Sequence, residues 1–296
     1  MSFVSFAQNF EDVMLWRALG HVEHGFYIDV GAWSPELDSV TKAFYDRGWN
    51  GINVEPNPSL HAELAAARPR DVNLQLAITD ANGMADFHPV AAPTTGLSTL
   101  DRTIAVDHAA HGRGGPAPFP VATRTLATIC RDHVPPAADI HFLKIDAEGS
   151  EETIVRGADW ERHRPWIVVV EATQPMSRTE THAAWEPMLA RAGYTLAYRD
   201  GLNRFYVAKE HTELAAAFAY PPNVFDDFVP AVQHRSEASA AALRDMVDGL
   251  QRENRDLKSS LDAIRSSWSW RLTRPLRSAL RGTRKHVPFR LNRNAL

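Results

Sequence analysis

Two short apolar segments near the N-terminus each end in a carboxylate that could bind a nucleoside. The first, GFYIDVGAW, ends in Asp29 and Gly31, and the second, NGINVEPN, ends in Glu55. A strand, a glycine turn, a helix and an acid closing the next strand are how α/β sheets hold a nucleoside. Gly31 would let the backbone approach the ligand, Asp29 could hold an amino group, and Glu55 could accept hydrogen bonds from two ribose hydroxyls. One glycine is too few for a dinucleotide turn, so the pattern favours a nucleoside without a pyrophosphate, such as S-adenosylmethionine (SAM). The alternatives are a strand-to-helix turn that binds nothing and, for Glu55, a surface acid that caps a helix.

A second group of charged residues lies in the middle of the chain and could bind a metal ion. Lys144, Asp146 and Glu148 alternate in LKIDAEG, and Glu171 ends the next apolar run, WIVVVE. Period-two spacing places alternate residues on one face of a strand, although this strand is predicted to end at Asp146. Carboxylates that converge at one sheet edge can bind a divalent cation through oxygen, so Asp146 and Glu171 are candidate ligands for Mg²⁺ or a similar ion. The alternative is that Lys144 simply neutralises the carboxylates.

Three further sets of polar residues are candidates on less specific patterns. Asp80 follows the third apolar run in AITDANG, where it either faces an adenine amino group or belongs to an ordinary Asp-Ala-Asn-Gly turn. Residues 8–12 and the segment GLSTL at 96–100 either cover the ligand pocket and contact the substrate or are solvated surface. The histidines form no metal-binding pair near the sheet edge, and His108 and His111 are interpreted as loop residues.

The elements that would position these residues follow from hydrophobic periodicity. Apolar runs alternate with helical patterns up to about residue 210, which predicts an α/β domain over residues 1–214. The predicted strands cover 26–30, 51–55, 74–78, 141–146, 167–171, 194–199 and 204–207. The predicted helices cover 59–67, 150–157 and 182–192, and another begins with Ser34 as N-cap and Pro35 at the first helical position. The continuous apolar runs at 141–146 and 167–171 predict a parallel sheet buried on both faces, with ligands at its carboxyl edge.

Composition restricts the class of protein. The chain has 296 residues, and its hydrophobic content of 44% is ordinary for a soluble globular protein. The single cysteine, Cys130, permits no intrachain disulfide, which fits a reducing compartment. The N-terminus lacks a basic and an apolar signal region, and no run reaches the ~18–20 apolar residues that span a bilayer. We therefore expect a cytoplasmic protein, with contact at the inner face of the membrane as a further possibility.

Two segments have no clear period. Residues 91–120 are rich in Pro, Gly, Ala and His, and we interpret them as a long loop. Residues 215–238 include Pro221, Pro222 and Pro230, and we interpret them as a linker.

The C-terminal part differs in charge and pattern. From Arg235 onward the chain has 14 Lys/Arg and 6 Asp/Glu, although the whole chain has a net charge of −4, so two modules with different partners are expected. A heptad repeat over 239–266 predicts a coiled-coil helix and a homodimer. Its a positions are Ala240, Val247, Asn254 and Leu261, and its d positions are Leu243, Leu250, Leu257 and Ile264. The alternative is an amphipathic helix packed on the domain.

The tail over 267–296 mixes Trp268 and Trp270 with arginines. This pattern suits an anionic membrane surface or a polyanion, whereas the alternative is a solvated tail. A nucleic acid is not among the expected partners.

The motifs together resemble the FkbM family of SAM-dependent methyltransferases. The matching segments are SFAQNFEDVML, FYIDVGAWSPELDSVT, GINVEPNP, FLKIDAEGSE and the VVVEAT strand with its GLNRFYV hairpin, over about residues 5–210. FLKIDAEGSE is the most specific of them, although Ala147 stands where the family usually has valine. The tail segment SWSWRLTRPLR resembles a C-terminal element of surface-polysaccharide biosynthesis enzymes.

The resemblance implies a class I methyltransferase fold, Rossmann-like with a terminal β-hairpin, and O-methylation, often of sugars. The acceptor would be a glycan or a nucleotide sugar, in polysaccharide or glycolipid biosynthesis. Because a sugar hydroxyl must lose its proton as the methyl moves, a carboxylate base or a metal must assist. Asp146 is the first candidate for the base or a metal ligand, with Glu148 and Glu171 in support, and Lys144 is a further candidate catalytic residue. An NAD-dependent sugar oxidoreductase and a non-catalytic coiled-coil scaffold remain alternatives, and the single-glycine turn argues against the first.

Overall fold

The computed structural model describes residues 2–91 and 95–283, which fall into two units. The first unit extends to Ala231 and the second begins at Val232. The strands are β1 (Phe3–Ser5), β2 (Phe26–Val30), β3 (Asn50–Val54), β4 (Val72–Leu74), β5 (Ala77–Ile78), β6 (Gly83–Phe87), β7 (Phe119–Arg124), β8 (Phe142–Ile145), β9 (Ile167–Glu171), β10 (Tyr194–Arg199), β11 (Asn203–Ala208) and β12 (Phe228–Pro230). The α-helices are α1 (Glu11–Leu19), α2 (Lys42–Tyr45), α3 (Pro58–Ala67), α4 (Arg102–Ala110), α5 (Leu126–His133), α6 (Glu151–Arg156), α7 (Glu186–Arg191), α8 (Ala231–Ser266), α9 (Trp268–Leu272) and α10 (Arg274–Thr283). The 3-10 helices are Thr95–Leu97, His182–Ala184, Lys209–Phe218 and Val224–Asp226.

The central sheet has seven strands in the order β10-β11-β9-β8-β2-β3-β4. The strands β4, β3, β2, β8 and β9 pair in parallel, and β11 is antiparallel to both β9 and β10. Every residue of β2, β8 and β9 is buried, as expected for parallel strands covered on both faces. A parallel sheet that ends in a hairpin with one antiparallel strand is the class I methyltransferase arrangement, so the predicted fold class is confirmed.

Apolar side chains cover both faces of the sheet. One cluster includes Ile28, Leu143 and Val168, and the opposite cluster includes Tyr27 and Phe142. Alternating residues of the same strands supply the two clusters, because successive side chains point to opposite faces. The sheet therefore forms a rigid base whose carboxyl edge carries the polar residues.

The prediction of a helix that begins at Ser34 is wrong. The Ser34 hydroxyl accepts hydrogen bonds from the amides of Glu36 and Leu37, but Asp38 takes a left-handed φ of 51° and ends the turn. The carbonyl of Pro35 accepts a hydrogen bond from buried Arg68 instead of continuing a helix. The helix α2 therefore starts only at Lys42.

Two other segments are more structured than the sequence predicted. Residues 91–120 include α4, because Asp101 caps the amides of Thr103 and Ile104 at 2.6 and 3.2 Å. The predicted strand 74–78 divides between β4 of the central sheet and β5, which pairs with β7 in a separate three-stranded sheet.

The segment predicted as a linker, 215–238, is folded into the first unit as far as Ala231. The strand β12 pairs in parallel with β1, and Arg17 forms a salt bridge with Asp226 at 2.7 Å. Arg17 also donates to the carbonyls of Ala217 and Tyr220, each at 2.8 Å. The prolines of this segment mark turns and the end of an edge strand rather than a flexible connection.

The second unit is a helix followed by two short helices. The helix α8 has 36 residues and contains the whole predicted heptad region. The large apolar side chains at its a and d positions are exposed, for example Leu243 and Leu250. Within the described residues, no helix is long and apolar enough to cross a membrane. The tail beyond Thr283 lies outside the described residues, so the predicted tail is described only in part.

Candidate functional site

A cavity of about 350 Å³ lies at the carboxyl edge of the central sheet. The ends of β2, β3 and β8 contribute Gly31, Glu55 and Asp146 to its wall. Other lining residues come from the N-terminal segment, the loop after β2, the region of β5 and β6, residues 96–100, β8 with the turn after it, and the loops around β9 and β11. They include Gln8, Glu11, Trp33, Asp38, Leu76, Ile78, Phe87, Leu97, Thr99, Lys144, Glu148, Met176 and Asn203. The location is the one predicted for ligands of an open α/β sheet.

Glu55 lines the cavity, and each of its carboxylate oxygens is hydrogen-bonded to the backbone. Its Oε2 accepts a hydrogen bond from the Trp33 amide at 3.1 Å, and its Oε1 accepts one from the Asn57 amide at 2.8 Å. Burial raises the pKa of Glu55 to about 7. Each oxygen keeps a second lone pair, so the carboxylate can still accept hydrogen bonds from a pair of ribose hydroxyls.

An apolar slot lies in the same cavity as Glu55. Leu76, Ile78 and Phe87 line it, and a planar nucleobase suits such a surface. The pairing of an acid with an apolar slot fits the nucleoside of SAM. SAM would therefore be held with its ribose at Glu55 and its base among these side chains.

Gly31 is required for a reason that the sequence did not show. Its φ is +77°, and a Cβ at this position would lie 1.8 Å from the carbonyl oxygen of Asp146. The lack of a side chain at Gly31 therefore allows the ends of β2 and β8 to approach each other. The turn at Gly31 also lines the cavity.

Two predicted cofactor residues do not line the cavity. Asp29 is 1% exposed, and its Oδ2 accepts a hydrogen bond from Thr41 at 3.1 Å. Asp29 lies inside β2, where Thr41 and Lys144 contact its two carboxylate oxygens. Asp80 lies beyond the end of β5 and forms a salt bridge with Arg156 at 3.1 Å, so the structure favours its alternative interpretation as a turn residue.

Lys144 lies between two carboxylates. Its Nζ is 3.2 Å from Asp146 Oδ2 and 3.4 Å from Asp29 Oδ1, and it donates to the carbonyl oxygen of Gly31 at 3.2 Å. Burial opposes the positive charge, but Asp146 and Asp29 outweigh it and raise the pKa of Lys144. Lys144 is therefore a fixed cation that orients Asp146.

The carboxylates of Asp146, Glu148 and Glu171 meet at this edge of the sheet, as predicted. One oxygen from each lies within 4.8 Å of the other two. Glu171 is 8% exposed, and its Oε2 has no hydrogen-bond partner among the described residues. Burial, reinforced by the charge of Asp146, raises the pKa of both Glu171 and Glu148. The cluster holds excess negative charge that a proton or a cation would compensate.

A tight turn, rather than strand alternation, brings Glu148 to the cavity. The strand β8 ends at Ile145, Glu148 has a left-handed φ of 50° and Gly149 has a φ of 101°. The carboxylate of Glu151 accepts hydrogen bonds from the amides of Ala147 and Gly149 at 2.9 and 3.1 Å. A turn, rather than alternation along a strand, therefore places Glu148 in the wall of the cavity.

The segment at 8–12 contributes Gln8 and Glu11 to the cavity wall. Glu11 is buried, and its Oε1 accepts a hydrogen bond from Asn203 Nδ2 at 2.7 Å. Burial raises the pKa of Glu11 to about 7. Asp12 is directed away and accepts hydrogen bonds from Ser5 and the Phe6 amide, each at 2.7 Å.

Sequence reasoning missed Asn203 as a site residue. Its partner Glu11 is 192 positions away along the chain, and the only signal was its place in the GLNRFYV hairpin. The segment at 96–100 lines the cavity, as predicted. His108 is a buried residue of α4 rather than a loop residue.

Comparison with known proteins gives one family. The model of the methyltransferase FkbM domain matches residues 29–196. No curated protein matches the sequence. Among solved structures, a TehB-like SAM-dependent methyltransferase from Corynebacterium glutamicum is 9% identical, with a TM-score of 0.37 over 67% of this chain and 88% of that chain.

Proposed function

The chain belongs to the FkbM family of methyltransferases, and from this premise we propose that it methylates a sugar hydroxyl with SAM as methyl donor. The observation that carries the proposal is the carboxylate cluster in the cavity that also holds Glu55 and the apolar slot. A hydroxyl acceptor needs such a cluster, because its proton must leave as the methyl arrives. The acceptor would be a glycan or a nucleotide sugar in surface-polysaccharide or glycolipid biosynthesis.

In this proposal the residues of the chain divide the work between binding and proton removal. SAM supplies the electrophilic methyl group. Glu55 accepts hydrogen bonds from the ribose hydroxyls, and the apolar slot excludes water from the base. Lys144 holds Asp146, whose side chain is 36% exposed and can meet an acceptor hydroxyl. Asp146 would take the proton as the acceptor oxygen bonds to the methyl carbon, while the bond from sulfur to that carbon breaks and S-adenosylhomocysteine leaves.

We also propose a divalent cation at Asp146 and Glu171, with Glu148 as a third ligand. The three oxygens are close enough to share one ion, and hard cations prefer carboxylate oxygen. Buried Glu171 with its unpartnered Oε2 supports this version. The competing version is that Lys144 compensates the charge, as its contact with Asp146 permits.

Incubation with isotopically labelled SAM and a panel of nucleotide sugars and lipid-linked glycans tests the function. We expect label on one sugar class, in a form that base treatment does not remove, as for a methyl ether. Label on an amine or a carboxyl group would contradict the sugar-hydroxyl proposal. SAM binding without transfer to any acceptor would favour the non-catalytic scaffold. An NAD-dependent oxidoreductase activity is not needed to explain the nucleoside site, because membership of the methyltransferase family explains it.

We propose that α8 pairs with the α8 of a second copy of the chain. The large apolar residues at its a and d positions are exposed, and Leu243, Leu250 and Leu257 are 63, 59 and 58% exposed. A single helix that leaves such a stripe in water gains by burying it. Asn254 at an a position is a known device for selecting a paired register, so a second copy is the occupant that fits.

The short helices α9 and α10 add a basic and aromatic surface. Trp268 is 80% exposed, and the Arg277 guanidinium lies 3.7 Å from the centre of the Trp270 ring. Amphipathic segments of this kind bind anionic lipid. We propose that they bring the enzyme to the cytoplasmic face of a membrane.

Truncation after Gln233 tests both proposals. The full chain is expected to be a dimer and to bind anionic vesicles, because two weak anchors add through effective concentration. The truncated protein should be monomeric, should keep methylating a small soluble acceptor and should lose vesicle binding. Asn254→Leu should raise stability but allow other oligomers. Light scattering measures the oligomeric state, and a full-length monomer or a truncated dimer would contradict the coiled coil. Equal pelleting of the full-length and truncated proteins with vesicles would contradict the membrane role.

A further inference from the structure

The hydroxyl of Thr99 contacts the turn that carries Glu148. Thr99 is 1% exposed, and its Oγ1 donates a hydrogen bond of 2.7 Å to the carbonyl oxygen of Glu148. The same Oγ1 accepts a hydrogen bond from the Asp101 amide at 2.9 Å. The Thr99 backbone pairs with His88 through two hydrogen bonds of 2.8 and 3.2 Å. Thr99 is therefore fixed on the side of its own segment and can hold the turn in place.

The turn depends on such outside support. A left-handed φ is unfavourable for a residue other than glycine, and Glu148 has this conformation. The carboxylate of Glu151 satisfies the amides of Ala147 and Gly149. Thr99 supplies the hydrogen bond to the Glu148 carbonyl.

A second contact comes from the same segment. A Cβ at Gly149 would lie 2.4 Å from Cδ1 of Ile104 in α4, so the Ile104 side chain packs closely on this residue. Thr99 thus holds the carbonyl of Glu148, and Ile104 covers the next residue. The Glu148 carboxyl beyond this turn lines the cavity and belongs to the carboxylate cluster.

We propose that Thr99 is a positioning residue that keeps the Asp146–Gly149 turn in the conformation that presents Glu148 to the acceptor. The kinetic part of this inference rests on the proposed methyl transfer, whereas the conformational part does not. The segment at 96–100 then has a role beyond covering the cofactor, because one of its hydroxyls sets the geometry of the carboxylate cluster.

Three variants of the full chain separate positioning from general stability. Thr99→Val keeps the shape and removes the hydroxyl, and Thr99→Ser restores the hydroxyl. Thr153→Val is the matched control, since Thr153 Oγ1 also donates to a backbone carbonyl, that of Ser150, at 2.8 Å. Hydrogen exchange at the amides of Ala147 and Gly149 reports the turn without any acceptor. Turnover, the KM for SAM and the melting temperature are measured beside it.

Thr99→Val is expected to speed exchange at both amides about 10-fold, the factor that matches the loss of one hydrogen bond of about 1.4 kcal/mol. Turnover should fall by a similar factor, with the KM for SAM within about twofold, because the change affects the reacting end. Thr99→Ser should recover most of both losses, and Thr153→Val should leave both near the wild-type values.

Unchanged exchange in Thr99→Val would overturn the inference. Faster exchange with normal turnover would also overturn it, because the turn would then not need to be held. A wild-type protein that methylates no sugar would instead refute the proposed function, and exchange at the two amides would still decide whether Thr99 holds the turn.

Discussion

Asp146→Asn is expected to lower turnover at least about 100-fold, the usual scale for general-base catalysis, while the affinity for SAM changes little. The substitution keeps the shape of the side chain and removes the charge that Lys144 holds at 3.2 Å. An amide cannot take the proton of the acceptor hydroxyl. Single-turnover kinetics with saturating SAM measures the effect separately from binding.

The matched control is Asp132→Asn, which removes a surface carboxylate paired with Arg131 at 2.8 Å. Its turnover should equal that of the wild type. If Asp146→Asn keeps its turnover within a few-fold, the base lies elsewhere. Loss of wild-type activity in EDTA, with recovery on adding Mg²⁺ or Mn²⁺, would favour the metal version, and Asp146→Asn and Glu171→Gln should then both weaken Mn²⁺ binding.

Glu55→Ala is expected to weaken SAM binding by about 1.5–3 kcal/mol, the range for hydrogen bonds to a charged group. The variant also removes the hydrogen bonds that Glu55 accepts from the amides of Trp33 and Asn57 at 3.1 and 2.8 Å. Glu55→Gln is therefore the second variant, because it keeps the shape and an acceptor oxygen. Calorimetry that finds the wild-type affinity in both would remove Glu55 from the site.

The same carboxylate gives the binding a pH dependence. Burial raises the pKa of Glu55 to about 7, an effect that Lys144 opposes and Asp29 reinforces. The ionised Glu55 carboxylate, which we propose accepts hydrogen bonds from both ribose hydroxyls, predominates above about pH 7 and becomes protonated as the pH falls through that value. Affinity for SAM should therefore decrease on acidification in the wild type, and Glu55→Gln should show less of this decrease.

The sequence predicted the strands well because their signal is local. The ranges 26–30, 167–171 and 194–199 agree with β2, β9 and β10, since short runs rich in β-branched and aromatic residues favour strands. The carboxyl-edge residues followed from the direction of the parallel strands. Ser34 shows the limit of local signals, because Arg68 holds the following carbonyl and prevents the helix that the N-cap predicts.

The parts that could not be predicted depend on contacts between distant residues. Glu11 and Asn203 meet across 192 positions, and neither lies in a pattern that names its partner. Asp29 and Asp80 had suitable types and spacing, but spacing does not show whether a side chain points into a cavity or away from it. Glu148 entered the site through a left-handed residue that no propensity favours.

The pairing of β1 with β12 makes the order of synthesis relevant to when the site is complete. A chain emerging from a ribosome has β1, Gln8 and Glu11 from the start, but β12 and Asp226 appear only after most of the first unit has been made. Until then β1 has no strand to pair with, and Arg17 of α1 lacks the Asp226 carboxylate with which it forms a salt bridge. Domains generally fold as units during translation, and contacts between the two ends of a chain form slowly. The segment that carries Gln8 and Glu11 is thus expected to reach its final packing only after β12, the last strand of the first unit, has been made.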